Sequence, residues 1–168
     1  IASSSADGMC IVWKAEDGAC AATMTCSGPI VGLGWSPSGK LLATGDADTP
    51  FLVRVWDVDS GREVATLPGS AAGLYDVVWA REDVILGGGQ DGVVRSWNTG
   101  TRECRELLDS HGPVYCMSLS PDGSRLLTGG FDNCVRVMDM ATGRELISLR
   151  SPTSAVLRAE LVRGGTRL

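Results

Sequence analysis

Apolar residues in this chain come in runs of about five to seven, rich in Val, Leu, Ile and Trp, and each run stops at a turn-forming cluster. Runs such as 52–57, 93–98 and 134–139 are bounded by Gly, Pro, Asp, Asn or Ser on both sides. No run keeps an apolar residue on a 3.6-residue period. The pattern therefore predicts short strands joined by tight turns, with almost no helix.

The strands repeat. Leu52-Val53-Arg54-Val55-Trp56-Asp57, Val93-Val94-Arg95-Ser96-Trp97-Asn98 and Cys134-Val135-Arg136-Val137-Met138-Asp139 align, and Cys10-Ile11-Val12-Trp13-Lys14 is a fourth copy. The anchor positions Trp13, Trp56, Trp97 and Met138 stand 43, 41 and 41 residues apart. Asp7, Asp91 and Asp132 each precede the anchor by six residues; Asp48 precedes it by eight, with Thr49-Pro50 read as a two-residue insertion. Asp-Gly at 7–8 and 91–92 and Asp-Asn at 132–133 predict hairpins, since Gly and Asn accept positive φ. Asp17-Gly18, Ser60-Gly61, Thr99-Gly100 and Thr142-Gly143 mark a second turn, and Ser36-Pro37-Ser38-Gly39 and Ser120-Pro121-Asp122-Gly123 a third. Four short strands in a period of about 40–45 residues describe one blade of a β-propeller.

The fourth copy carries His111-Gly112, Ser120-Pro121-Asp122-Gly123, Leu127-Thr128-Gly129, Asp132 and Met138-Asp139; the second keeps Ser36-Pro37, Leu42-Ala43-Thr44-Gly45 and Trp56-Asp57. On these motifs the chain resembles the WD-repeat (WD-40) family over essentially its whole length. The resemblance implies an all-β fold of WD-40 β-propeller blades, four antiparallel strands each, about four blades of the seven usual in the family. The expected units run over about 1–24, 25–67, 68–108 and 109–149, with a further one starting in 150–168. Residues 1–14 read as the last two strands of a repeat and 145–161 as the first two of another, followed by a turn at 162–165. A portion of a larger propeller is expected rather than a closed four-bladed ring. The shortened turn Ala80-Arg81-Glu82-Asp83 is faintly similar to transducin-β-like members.

The resemblance also implies a hydrogen-bond network joining the opening-loop His, a strand Ser or Thr, the turn Asp and the Trp indole. In the fourth copy these are His111, Thr128 and Asp132, with Met138 unable to donate. The second copy has Thr44, Asp48 and Trp56, the third has Asp91 and Trp97 with Gly87 for the hydroxyl, and the first has Asp7 and Trp13. The family binds partners on its narrow face, around the central channel. Carried onto this chain, the aligned positions are Val31, Tyr75, Tyr115 and Leu157, with Pro29, Pro113 and Ala155 beside them and Ala6, Ala47, Gln90 and Phe131 before the turn Asp. Tyr75, Tyr115 and Phe131 are expected to form one anchor.

Composition narrows the function. Among 168 residues the net charge is −5, giving no basic face for nucleic acid or anionic membrane. No run reaches the ~20 apolar residues of a membrane span, and no basic n-region marks a signal peptide. Six cysteines lack any Cys-x-x-Cys spacing, and His111 is the only histidine, so no metal set is expected and the thiols read as small buried hydrophobes of a reducing compartment. Gly34–Lys40 opens like a phosphate loop, but a strand follows where a helix N-terminus is needed. Gly87-Gly88-Gly89 falls in a strand and reads as close packing. Arg54, Arg95 and Arg136 read as solvated strand positions with their stems over apolar surface. His111 has no nucleophile or second histidine to work with.

The expectation is thus an intracellular, cytoplasmic or nuclear, non-catalytic scaffold without a cofactor, binding proteins or peptides within a larger complex. Two other readings stand beside it. A propeller enzyme would need inward-facing Asp, Glu or His, and the aligned positions offer only Gln90; a chromatin- or RNA-associated member would reach its target through protein contacts.

Overall fold

Alternating apolar positions zip into antiparallel ladders, and among the described residues there are only strands, turns and loops. The structure, a computed structural model, describes residues 1–150 and 153–161. The first sheet has three strands, β1 (Ala2–Ser4), β2 (Met9–Trp13) and β3 (Cys20–Thr25), in that order. The second runs β4 (Ile30–Trp35), β5 (Leu41–Asp46), β6 (Val53–Asp57) and β7 (Glu63–Leu67). The third comprises β8 (Leu74–Arg81), β9 (Val84–Gly89), β10 (Val93–Asn98) and β11 (Cys104–Asp109). The fourth is β12 (Val114–Leu119), β13 (Arg125–Gly130), β14 (Cys134–Asp139) and β15 (Glu145–Arg150). Each sheet is a meander, so chain order is also spatial order.

The turns follow their residues. Gly8, Gly92 and Asn133 sit at φ 83°, 78° and 65°, and the Asp before each accepts a backbone N–H two residues on. Those bonds run from Met9 to Asp7 Oδ1 at 2.9 Å, Val93 to Asp91 Oδ1 at 3.1 Å and Cys134 to Asp132 Oδ1 at 3.0 Å. The side chain supplies the acceptor that a tight turn otherwise lacks.

The core lies between sheets rather than within one. Val53, Val55 and Leu67 pack against Leu74, Val77, Ile85 and Trp97 of the third sheet. Cys10, Val12 and Met24 meet Ile30, Leu42 and Trp56, while Leu86 and Val94 meet Val114, Leu126 and Met138. Each such side chain contributes about 1.5–3 kcal/mol by burial, so a blade is stable through its neighbours.

One strand assignment changes. Residues 1–14 supply two strands of the first sheet, and β3, beyond them, is its outermost strand. The stretch 145–161 divides: β15 pairs with β14 and closes the fourth sheet, whereas 153–161 forms no regular strand. That segment is held by the Val156 N–H on Gly130 O at 2.9 Å, the inter-sheet bond that Ile30 makes to Ser5 O. It therefore runs where the innermost strand of a further blade would run. The turn expected at 162–165 lies outside the described residues.

Candidate interaction site at the inner strands

The innermost strands share a defect. The β4–β5 register slips between Ile30 and Gly32, β8–β9 between Leu74 and Asp76, and β12–β13 between Val114 and Cys116. Val31, Tyr75 and Tyr115 are the bulged residues, released from the in-and-out alternation of the ladder. Leu157 follows Val156 as Val31 follows Ile30, so it occupies the same position in the last segment. All four line one open cavity of about 570 Å³, with Asp76, Met117, Arg158 and Glu160 among the remaining walls. The Tyr75 and Tyr115 ring centroids are 5.7 Å apart with their planes inclined by 38°, within the range of favourable aromatic pairs. Val31 and Leu157 are 51% and 73% exposed.

Phe131 and Gln90 are exposed but do not line this cavity. Their backbone N–H groups bond to Pro113 O and Gly73 O, as that of Ala47 does to Pro29 O, fixing them on the turns above the inner strands. The expected three-ring anchor is thus a two-ring pair, because Phe131 belongs to a turn and the tyrosines to the bulges.

An inward carboxylate does exist, one residue past the aligned position. Asp76 lines the cavity, and burial raises its pKa to about 6 against the pull of the Met117 and Val77 N–H groups and of Arg158. Its Oδ2 accepts the Met117 N–H at 2.7 Å and so ties β8 to β12. The neighbouring blade has Cys116 at this position, and its thiol donates to Gly129 O of its own sheet at 3.9 Å. At the same position in β4 stands Gly32, where a Cβ would lie 3.1 Å from Val77 N, so here the strands meet directly.

The anchor tryptophans divide by what faces them. Trp56 Nε1–H donates to the buried Thr44 Oγ1 at 2.9 Å, and Trp13 Nε1–H to Ser3 Oγ at 2.9 Å, a hydroxyl the sequence reading had missed. In the third sheet a Cβ on Gly87 would sit 2.8 Å from the Trp97 ring, and the indole donates instead to Pro68 O at 2.8 Å. In the fourth, Thr128 Oγ1 is buried without a partner, since Met138 has no proton to offer. His111 takes no part in a network. Its side chain is 80% exposed, its φ is 58°, and its backbone N–H bonds to Asp109 Oδ1 at 2.8 Å.

Comparison with known sequences agrees with this geometry. The family pattern described as "WD domain, G-beta repeat" matches residues 18–57 and 102–139. The chain is 30% identical over 152 residues to the human angio-associated migratory cell protein, covering 86% of this chain and 33% of that protein. It is 28% identical to the WD repeat-containing protein 91 homolog of Dictyostelium discoideum, covering 100% and 23% respectively. The chain is a WD-repeat protein. It is also 29% identical to the DENN domain and WD repeat-containing protein SCD1 of Arabidopsis thaliana, over 82% of this chain and 12% of that one. It spans a third or less of the length of these relatives.

The matched WD repeats begin just before an outermost strand, β3 or β11, and end on the third strand of the next sheet, at Asp57 or Asp139. Repeat and blade are therefore out of phase by one strand, which is why 145–161 reads as the start of a repeat while β15 completes a blade.

Two further readings are corrected in the WD blades. Arg54, Arg95 and Arg136 are not solvated. Their side chains are 16%, 5% and 13% exposed, and each is held between two carboxylates. Arg95 binds Asp91 at 2.6 Å and Glu106 at 3.0 Å; Arg136 pairs with Asp132 and with Glu145 at 3.3 Å. Arg54 binds Glu63 at 3.0 Å and Asp46, not Asp48, at 3.3 Å. The two-residue insertion carries Asp48 away, and Asp46 substitutes from the place where the other blades have Gly89 and Gly130. Cysteine burial is also uneven. Cys10, Cys26 and Cys116 are buried, with the Cys10 thiol pushed up to about 11 by burial and by Cys26, but Cys20 is exposed on an outermost strand. Among the described residues no three His, Cys, Asp or Glu come together as a metal set, and no helix is long and apolar enough to cross a membrane.

Proposed function

We propose that this WD-repeat chain is a non-catalytic scaffold that binds proteins or peptides at the mouth lined by Val31, Tyr75, Tyr115 and Leu157, as part of a larger intracellular assembly. The observation that carries the reading is the repeated bulge, which turns the equivalent residue of each inner strand into one concavity. A register defect at the same position three times releases these side chains from the ladder's alternation, which supports their use as a surface. An enzyme reading is weaker, because Asp76 is committed to the Met117 N–H and His111 is not among the residues lining the mouth. The acidic balance of the chain argues against direct contact with nucleic acid. A chromatin- or RNA-linked role would run through protein partners.

The test is the double variant Tyr75→Ala plus Tyr115→Ala. Removing a central aromatic anchor costs ~2 kcal/mol or more, about thirtyfold in affinity. Quantitative co-purification should show the main partners lost while the melting curve stays that of the parent. Retained partners place binding on another surface; a collapsed fold makes the rings part of the core.

A further inference from the structure

The interaction reading leaves open what the mouth selects, and the inference here rests on that reading. The lining is not simply apolar: two phenol rings stand beside the carboxylates of Asp76 and Glu160, with Arg158 the single cation among the lining residues. Aromatic faces attract cations, most strongly where water is partly excluded. A neutral apolar side chain seated there would desolvate Glu160 and the remaining oxygen of Asp76, whose Oδ2 takes the Met117 N–H, with nothing in return, and an acidic one would face both carboxylates. The space of about 570 Å³ is enough for one long side chain together with its flanking backbone. From the ring pair, the two carboxylates and the size of the cavity, we infer that the mouth receives an arginine or lysine side chain from an extended segment of a protein partner. The rings stack on the cation and its aliphatic stem, and Glu160, exposed at the lip, meets the charge as it enters.

The probe is an array of dodecapeptides of mixed composition around one fixed residue, Arg, Lys, Leu or Glu, incubated with the full chain. Retention on Arg and Lys peptides is expected to exceed that on Leu peptides about tenfold, with Glu peptides lowest. Glu160→Gln should lower the cation preference severalfold, and Tyr75→Ala plus Tyr115→Ala should abolish it. Equal binding of Leu and Arg peptides, lost in the tyrosine variant, overturns the cation inference and leaves the interaction reading standing. Basic peptides that bind regardless of Glu160 and both tyrosines are being drawn by overall charge, which also overturns it. No retention on any probe, or peptide binding unchanged in a tyrosine variant with a parental melting curve, counts against both.

Discussion

The second and fourth sheets are built from the same repeat but reach different states. In the second, Leu67 on the outermost strand is fully buried beneath the third sheet, Trp56 bonds to Thr44, and Arg54 closes on the deeply buried Asp46. In the fourth, Leu149 takes the place of Leu67 and is 44% exposed, Met138 leaves Thr128 without a partner, and Arg136 binds an Asp132 that is partly open to water. The ladder geometry is the same in both. Strand register thus comes from the backbone pattern, whereas the stability of a blade comes from what its neighbour covers and from whether its polar groups are matched.

Arginine removal should separate the two sheets most widely. Arg54→Ala strands Asp46, whose side chain is only 4% exposed, and is expected to cost about 3 kcal/mol in chemical denaturation. Arg136→Ala leaves the more open Asp132 and should cost about 1 kcal/mol. Equal losses would show that the two clamps do not differ in burial.

The next effect concerns the carboxylate that ties the fourth sheet to the third. Burial raises the folded-state pKa of Asp76 to about 6, above its ordinary value of 3.8. Its ionised form is therefore disfavoured by folding, and its contribution to stability is greatest below about pH 4 and lost as pH rises through 6. Asp76→Asn keeps an oxygen for the Met117 N–H. It should raise stability at pH 7 by on the order of 1–2 kcal/mol and flatten the profile between pH 4 and 6. A parental profile in the variant would assign that slope to other groups.

The smallest effect is one of opposite sign at equivalent positions. Thr44→Val breaks the Trp56 bond and should destabilise by about 1 kcal/mol, while Thr128→Val removes an unmatched buried hydroxyl and should stabilise by up to about 1 kcal/mol. Melting curves of the two variants decide it, and destabilisation by both would mean that Thr128 has a partner in solution.

Much of the architecture was legible because it is written in local chemistry. Asp-Gly, Asp-Asn and Ser-Pro-x-Gly turns, anchored by Trp at a constant spacing, need no tertiary knowledge to be read. What escaped depends on register and neighbours. Asp76 was overlooked because a bulge sets where a side chain points, and a bulge leaves no residue signature in β-branched and aromatic strands. Asp46 was passed over for Asp48 because an insertion breaks the count between turn and anchor. The arginines looked solvated because their partners Glu63, Glu106 and Glu145 lie on the next strand, visible only once the strands pair. His111 stands exposed on a loop, away from Thr128, which spacing alone does not disclose.

The recurring bulge has a consequence for how such a surface changes over generations. A residue in regular pairing answers to its cross-strand partner and to the face it covers, so altering it disturbs the framework. The bulged residue answers to neither. The side chains at 31, 75 and 115 can be exchanged like type in a fixed frame, and specificity is free to drift while foldability is held constant.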